Sequence, residues 1–362
     1  MSRFSAKEQR RKWRLERPEK YRQPQQGLTP ENQSKRLPLQ DFQGCSRKFY
    51  WFPSLGSWPG LIRQLDLLLQ RHVVRRTGPP VTASRIKLND GRHLAYKEYG
   101  VSKDKANYKI VFVHGFDSCR HDVSAITSGL SQDIVESQGL HIVSFDRPGY
   151  GESDPNPKQT VKSIAFDIEE LADKLGLGSK FYVVGFSMGG QVVWTCLKYI
   201  PHRLAGAALI APVVNFWWPG LPSNLSKQAY DQLLPQDQWA LRVAHHMPWL
   251  THWWNTQKLF PVLSLIAHSP DVLSNQDREL LPRLLSIRKE YQAHVRQQGH
   301  FVSLHRDLMI GFGTWEFDPT DLENPPLESA GPIHLWQGDE DKLVPSDPAT
   351  LHCPEAAMDS VS

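Results

Sequence analysis

The stretch "VVGFSMGGQVVW", Val183–Trp194, decides how this chain is read. A β-prone apolar run leads into it at Phe181, and a run with helical character leaves it after Met188. Between them stands Gly185-Phe186-Ser187-Met188-Gly189, a G-x-S-x-G pattern. A strand that turns directly into a helix strains its backbone at one residue and crowds the chain on either side of it. The flanking positions therefore need glycine, and the apical side chain stands clear above the sheet. A serine at that apex is a candidate nucleophile. The alternative is a glycine-rich turn with structural duties only, and the strand-before, helix-after setting favours the nucleophile.

The same alternation extends outward on both sides. "KIVFVHG" (Lys109–Gly115), "HIVSFD" (His141–Asp146), "AGAALIAPV" (Ala205–Val213) and "PIHLWQG" (Pro332–Gly338) are short apolar runs of the kind that form buried parallel strands. "VTASRIKLNDGRHLAYKEYG" (Val81–Gly100) places two alternating runs around Asn89-Asp90-Gly91, a strong hairpin signal. In "TVKSIAFDIEELADKLGLG", Ile164, Ile168, Leu171 and Leu175 share one helical face, and Gly176 is a natural stop. Strands alternating with helices predict an α/β fold with a mostly parallel sheet and helices on both faces.

From this pattern the first part of the α/β core is expected over 81–214, an inserted helical cap over 215–332, a core strand and acid loop over 333–345, and an irregular tail over 346–362. The cap stretch is too long for a loop, and an insertion above the carboxyl ends of the strands would cover the crevice where such sheets bind ligands. Residues 1–80 are expected to form a basic, disordered arm followed by an amphipathic helix. That helix, "GSWPGLIRQLDLLLQRHVVRR" (56–76), is interrupted by Arg63, Gln64 and Asp66, so it is not expected to span a bilayer. Packing on the main domain is its preferred role, and peripheral contact with an anionic membrane surface is the other.

Composition narrows the function classes. The chain has 362 residues, 40% hydrophobic and 22% charged, with a formal net charge of +4, which gives no reason to expect a nucleic-acid partner. Its four cysteines are scattered, so free thiols in an intracellular, cytoplasmic setting are expected. No metal and no cofactor is expected. His245, His246 and His252 alternate with Trp249, Trp253 and Trp254, which reads as a helical face rather than a ligand set.

The residues beyond the elbow complete a chemistry. A loop follows His114-Gly115, and the N–H of Phe116 together with that of Met188 could form an oxyanion hole, where donors meet charge that exists only in the transition state. His114 is expected to fix the loop rather than act as base. "FDRPGYGESDPNP" (145–157) reads as a tight polar turn with a structural role.

With "HGF", "FDRPGYGESDP", "GFSMGG" and "GDEDKLVP" in this order, the chain resembles the α/β-hydrolase superfamily, specifically a plant-type serine-hydrolase branch, over roughly Arg85 to Pro345. The resemblance implies Ser187 as nucleophile, Asp341 as triad acid, and Phe116 and Met188 as oxyanion donors. It also implies a histidine after one more helix and strand. Here the chain departs: after "KLVP" it runs "SDPATLHCPEAAMDSVS". His352 follows Asp341 by 11 positions, where a helix and strand would take roughly 20 or more. The family histidine, last helix and last strand are thus expected to be missing, with His352 the only candidate substitute. The expected function is an esterase- or lipase-type serine hydrolase acting on a small apolar or acyl-bearing substrate. The alternative is a catalytically impaired member that binds a small ligand or regulates a partner.

Overall fold

A computed structural model describes residues 81–127, 130–267, 273–322, 331–338 and 341. All of them belong to one compact unit. The expectations for 1–80 and 346–362, His352 among them, lie outside the described residues.

The chain opens with β1 (Ser84–Lys87) and β2 (His93–Gly100), an antiparallel hairpin in register Lys87 to His93. Its turn carries Gly91 at φ 91°, a conformation glycine adopts without a steric penalty. Next come β3 (Tyr108–Val113), α1 (Val123–Thr127), α2 (Gln132–Gln138), β4 (Leu140–Phe145) and α3 (Val161–Leu175). β5 (Phe181–Phe186), α4 (Met188–Tyr199) and β6 (Leu204–Ile210) follow. Between β6 and the last described strand the structure is helical: α5 (Ser223–Gln232), α6 (Pro235–His246), α7 (Thr251–Thr256), α8 (Ser264–Ala267), α9 (Asn275–Lys289) and α10 (Gln292–Val295). A π-helical turn, Phe301–His305, then leads into α11 (Arg306–Gly311), and β7 (Ile333–Trp336) closes the series.

The strands form one seven-stranded sheet in the order β1-β2-β4-β3-β5-β6-β7. β1–β2 and β2–β4 pair antiparallel, and every other pair is parallel. The expected α/β class, with a mostly parallel sheet, is what the chain adopts, and β7 is the outermost strand among the described residues. Because β3, β5, β6 and β7 run the same way, their carboxyl ends share one edge, and the loops that leave that edge build the site.

Two apolar clusters frame it. The larger joins α3 and α4 to one sheet face through Val111, Val113, Val183, Ile164, Ile168, Leu171, Val193 and Leu197. α3 shows how local signals and burial agree. Thr160 and Ser163 form a reciprocal capping box, Gly176 ends the helix at φ 68°, and Ile164, Ile168, Leu171 and Leu175 all face the core. Each such side chain contributes about 1.5–3 kcal/mol on burial. The second cluster lies between the sheet edge and the helical segment, and it includes Phe116, Met188, Tyr230, Leu233, Leu241, Leu263, Leu304 and Phe312.

Cys119 and Cys196 are buried free thiols. Among the described residues no helix is long and apolar enough to cross a membrane.

Candidate active site

Ser187 sits between β5 and α4 at φ 54°, ψ −119°, a conformation that costs a non-glycine residue roughly 1–3 kcal/mol. Its backbone is fixed from both sides. Its N–H donates to Ile210 O at 2.9 Å, and its carbonyl accepts from Gly190 N–H at 2.9 Å and Val213 N–H at 3.1 Å. The flanking glycines are there for space: a Cβ on Gly185 would lie 2.3 Å from Gly189 O, and one on Gly189 would lie 2.2 Å from Val113 O. Gly115 brings the neighbouring loop close as well, since a Cβ there would stand 3.1 Å from Ser187 Cβ.

Ser187, Met188 and Phe116 line one cavity, together with Val213, Val214, Phe216, Leu233, Leu241, Leu263, Leu265, Leu308 and Phe312. Neither the Phe116 N–H nor the Met188 N–H donates to another protein group among the described residues. Two unused N–H groups beside a serine hydroxyl are what stabilisation of an oxyanion requires.

The loop that carries Phe116 is held by charge. His114 is fully buried, with Nδ1 2.8 Å from Gly115 O and Nε2 accepting from Arg147 N–H at 3.0 Å, so the proton resides on Nδ1. Burial, reinforced by the Arg147 guanidinium, holds His114 well below the usual imidazole range. Both ring nitrogens are engaged, so it fixes the loop and has no lone pair to offer a hydroxyl. Arg147 donates to Gly115 O at 2.9 Å and grips Asp307 with two bonds of 2.6 and 2.7 Å. Tyr150 donates to the same carboxylate at 2.9 Å.

One residue beyond Phe116, Asp117 stands at φ 51° and is clamped by two arginines from the helical segment. Arg296 donates to both of its carboxylate oxygens at 2.6 Å, and Arg288 reaches its carbonyl at 2.5 Å and its carboxylate at 3.0 Å. The turn after β4 is a third network. Asp146 accepts from Arg120 N–H, from its guanidinium and from Glu152 N–H, while Arg120 also bonds Glu152 at 2.8 Å.

Asp341 follows β7 beyond the carboxyl edge of the sheet, the edge at which Ser187 follows β5. Its carboxylate accepts from Gln337 Nε2 at 3.1 Å, and its N–H donates to Gly338 O at 3.3 Å. Among the described residues Ser187 Oγ has no hydrogen bond, to a histidine or to any other group. The structure thus brings Phe116, Ser187 and Met188 into one cavity and puts Asp341 on their edge of the sheet.

The aromatic residues of the helical segment stand mostly away from the cavity. Of Phe216, Trp217, Trp218, Trp239, Trp249, Trp253 and Trp254, only Phe216 lines the cavity. Trp217 stacks on His245 at 4.3 Å between ring centres, Trp218 is buried against Trp315, and Trp239, Trp249 and Trp253 are exposed. The walls are mainly aliphatic, with Phe116, Phe216 and Phe312 among them, and leucines spread over α6, α8, α11 and the connecting segments leave no local signal that marks them as lining.

One polar pair interrupts that lining. Asp237, on the first turn of α6, accepts from Ser264 N–H at 2.6 Å and from the Ser264 hydroxyl at 2.5 Å. Burial pushes its carboxyl up, against the pull of those two bonds. No three His, Cys, Asp or Glu side chains among the described residues cluster as metal ligands.

Residues 108–353 match the family model of the alpha/beta hydrolase fold. Over 150 residues, 41% of this chain and 51% of the relative, the sequence is 26% identical to a non-heme chloroperoxidase of Streptomyces lividans. It is 35% identical over 86 residues, 23% of this chain and 31% of the relative, to a pimeloyl-(acyl-carrier protein) methyl ester esterase of Sodalis glossinidius. The chain thus spans about half, or less, of the length of the curated relatives it matches. A thermophilic esterase from Thermogutta terrifontis is similar in structure, with a TM-score of 0.49 and 21% identity over 75% of this chain and 85% of the other.

Proposed function

Because the chain belongs to the alpha/beta hydrolase fold family, we propose that it is a serine hydrolase of the esterase type, cleaving an ester whose acyl part is mainly apolar. The observation that carries this reading is Ser187 itself. It is a non-glycine residue held at positive φ at a strand-to-helix turn, and it lines a cavity with two unused N–H donors. Ser187 Oγ attacks the acyl carbonyl, the carbonyl oxygen becomes an oxyanion received by the Phe116 and Met188 N–H groups, and the alcohol departs to leave an acyl-enzyme that water then hydrolyses. Asp341 is the acid that orients the base. His352 is the candidate for that base, since no histidine is bonded to Ser187 among the described residues.

The apolar lining supports a mainly aliphatic acyl group, which desolvates at little cost in such walls. The pimeloyl-(acyl-carrier protein) methyl ester esterase to which a part of the chain is similar is named for the same class of chemistry.

A second reading, a family member that binds its ligand without turning it over, is kept because no histidine bonds Ser187 Oγ among the described residues. Steady-state hydrolysis of p-nitrophenyl butyrate by the full chain, beside Ser187→Ala and His352→Ala, separates the two. The esterase reading expects loss of activity in both variants, by on the order of 10³-fold or more. A parent no faster than Ser187→Ala, with a cooperative melt, would leave ligand binding as the function.

A further inference from the structure

The cavity beside Ser187 is apolar except at one place, and that place carries a carboxylate. Asp237 is 3% exposed and lies in the same lining as Ser187. Both oxygens accept from Ser264, one from the N–H and one from the hydroxyl. Among the described residues no cation pairs with it. Burying a carboxyl without a cationic partner costs several kcal/mol unless hydrogen bonds compensate. Each carboxylate oxygen has lone-pair capacity for a second donor beyond its one bond from Ser264.

The elements that hold it are tied to the site. Asp237 is on the first turn of α6, where the helix N-terminus favours negative charge, and Leu241, one turn later on that helix, also lines the cavity. Ser264 opens α8 between Leu263 and Leu265, two further lining residues. A carboxyl fixed in this way serves as a hydrogen-bond acceptor facing an otherwise apolar chain.

We propose that Asp237, oriented by Ser264, is a specificity subsite that selects apolar esters whose chain carries a hydrogen-bond donor, a hydroxyl or an ammonium, over plain alkyl esters. This rests on the reading of the cavity as the ester pocket. A plain chain leaves the carboxyl facing hydrocarbon, whereas a donor-bearing chain satisfies it. A hydrogen bond to a charged or strongly polar buried group is worth about tenfold or more in affinity.

The test is calorimetric titration of the full chain carrying Ser187→Ala, so that nothing turns over, with ethyl hexanoate, ethyl 6-hydroxyhexanoate and ethyl 6-aminohexanoate. Chains one carbon shorter and one longer set the reach. The expected result is that at least one donor-bearing ester binds about tenfold or more tightly than its plain counterpart. The discrimination should shrink to within about threefold when Asp237→Asn is added, because the carboxamide presents an N–H to the ligand. Adding Asp237→Leu instead should abolish it while plain esters bind as well or better. Equal binding of plain and donor-bearing esters would overturn the subsite and leave the ester pocket standing, as would discrimination that survives both substitutions. Binding of no ester would overturn both. If Asp237→Leu fails to fold, the nearly isosteric Asp237→Asn decides alone. A preference for ammonium over hydroxyl identifies an ionised carboxylate, and equal preference a neutral one, both with the subsite upheld.

Discussion

The two loops that meet at the cavity are built by opposite means. The Ser187 elbow is held by steric and backbone constraints: consecutive residues, glycines that leave no room for a Cβ, and backbone bonds to β6 and its continuation. At the Phe116 loop little is local. Its three residues 115–117 are held by Arg147, Tyr150, Arg288 and Arg296, and through Arg147 and Tyr150 by Asp307, whose positions run more than a hundred residues further along the chain in three of these five cases. The elbow is rigid because its own backbone has no alternative. The Phe116 loop is positioned because the helical segment grips it, so one wall of the site belongs to the sheet and the other depends on the helical segment.

If that contrast is right, the elbow breaks most severely. Gly189→Ala puts a Cβ 2.2 Å from Val113 O, a backbone atom that cannot swing away. The expected outcome is a loss of about 3 kcal/mol or more, read as a large drop in Tm or a failure to fold; a variant that melts like the parent would show the crowding to be slack. The Phe116 loop should break in function before it breaks in stability. Asp117→Ala removes the anchor of Arg288 and Arg296, and the expected result is a fall in kcat of about 10- to 100-fold with a much smaller change in KM, measured on a p-nitrophenyl ester. Equal losses in both constants would point to a binding defect instead.

Acid tests the buried histidines of the Phe116 loop and of the helical segment. His114 is held well below its ordinary value by burial and then by Arg147, and burial with the neighbouring His252 and His300 brings His305 to about 3. The unfolded chain takes up protons on these rings near pH 6.5 while the folded chain resists. Their contribution to stability is therefore full above about pH 6.5 and is lost as the pH falls toward 3. Tm should decline across that window, and His305→Leu should flatten part of the decline; an unchanged pH profile would contradict the assignment. The smallest effect is expected for Arg296→Lys, which keeps the charge and loses the two-point grip on Asp117, lowering kcat by a few-fold at most.

The same contrast explains what could be read from the sequence. The strands, the capped helix Val161–Leu175 and the elbow are encoded by periodicity, caps and glycines within a few positions of one another, and they stand where those signals put them. So do Phe116 and Met188 beside Ser187 in one cavity. The clamp on Asp117 and the Asp237–Ser264 pair were not legible, because an arginine near residue 290 looks like any solvated arginine until the fold carries it to residue 117. The tryptophans of the helical segment stand mostly away from the cavity, since a large ring is as useful on a half-exposed helix surface as in a pocket.

The central claim is that Ser187 is an activated nucleophile facing an apolar pocket, and covalent labelling tests it most directly. The full chain would be treated with an ethyl p-nitrophenyl alkylphosphonate, digested, and the modified residue located by mass spectrometry, beside Ser187→Ala. The account predicts one adduct, on Ser187, absent from the variant and slowed by a competing hexanoate ester. Adducts confined to other residues, or equal labelling of parent and Ser187→Ala, would contradict it.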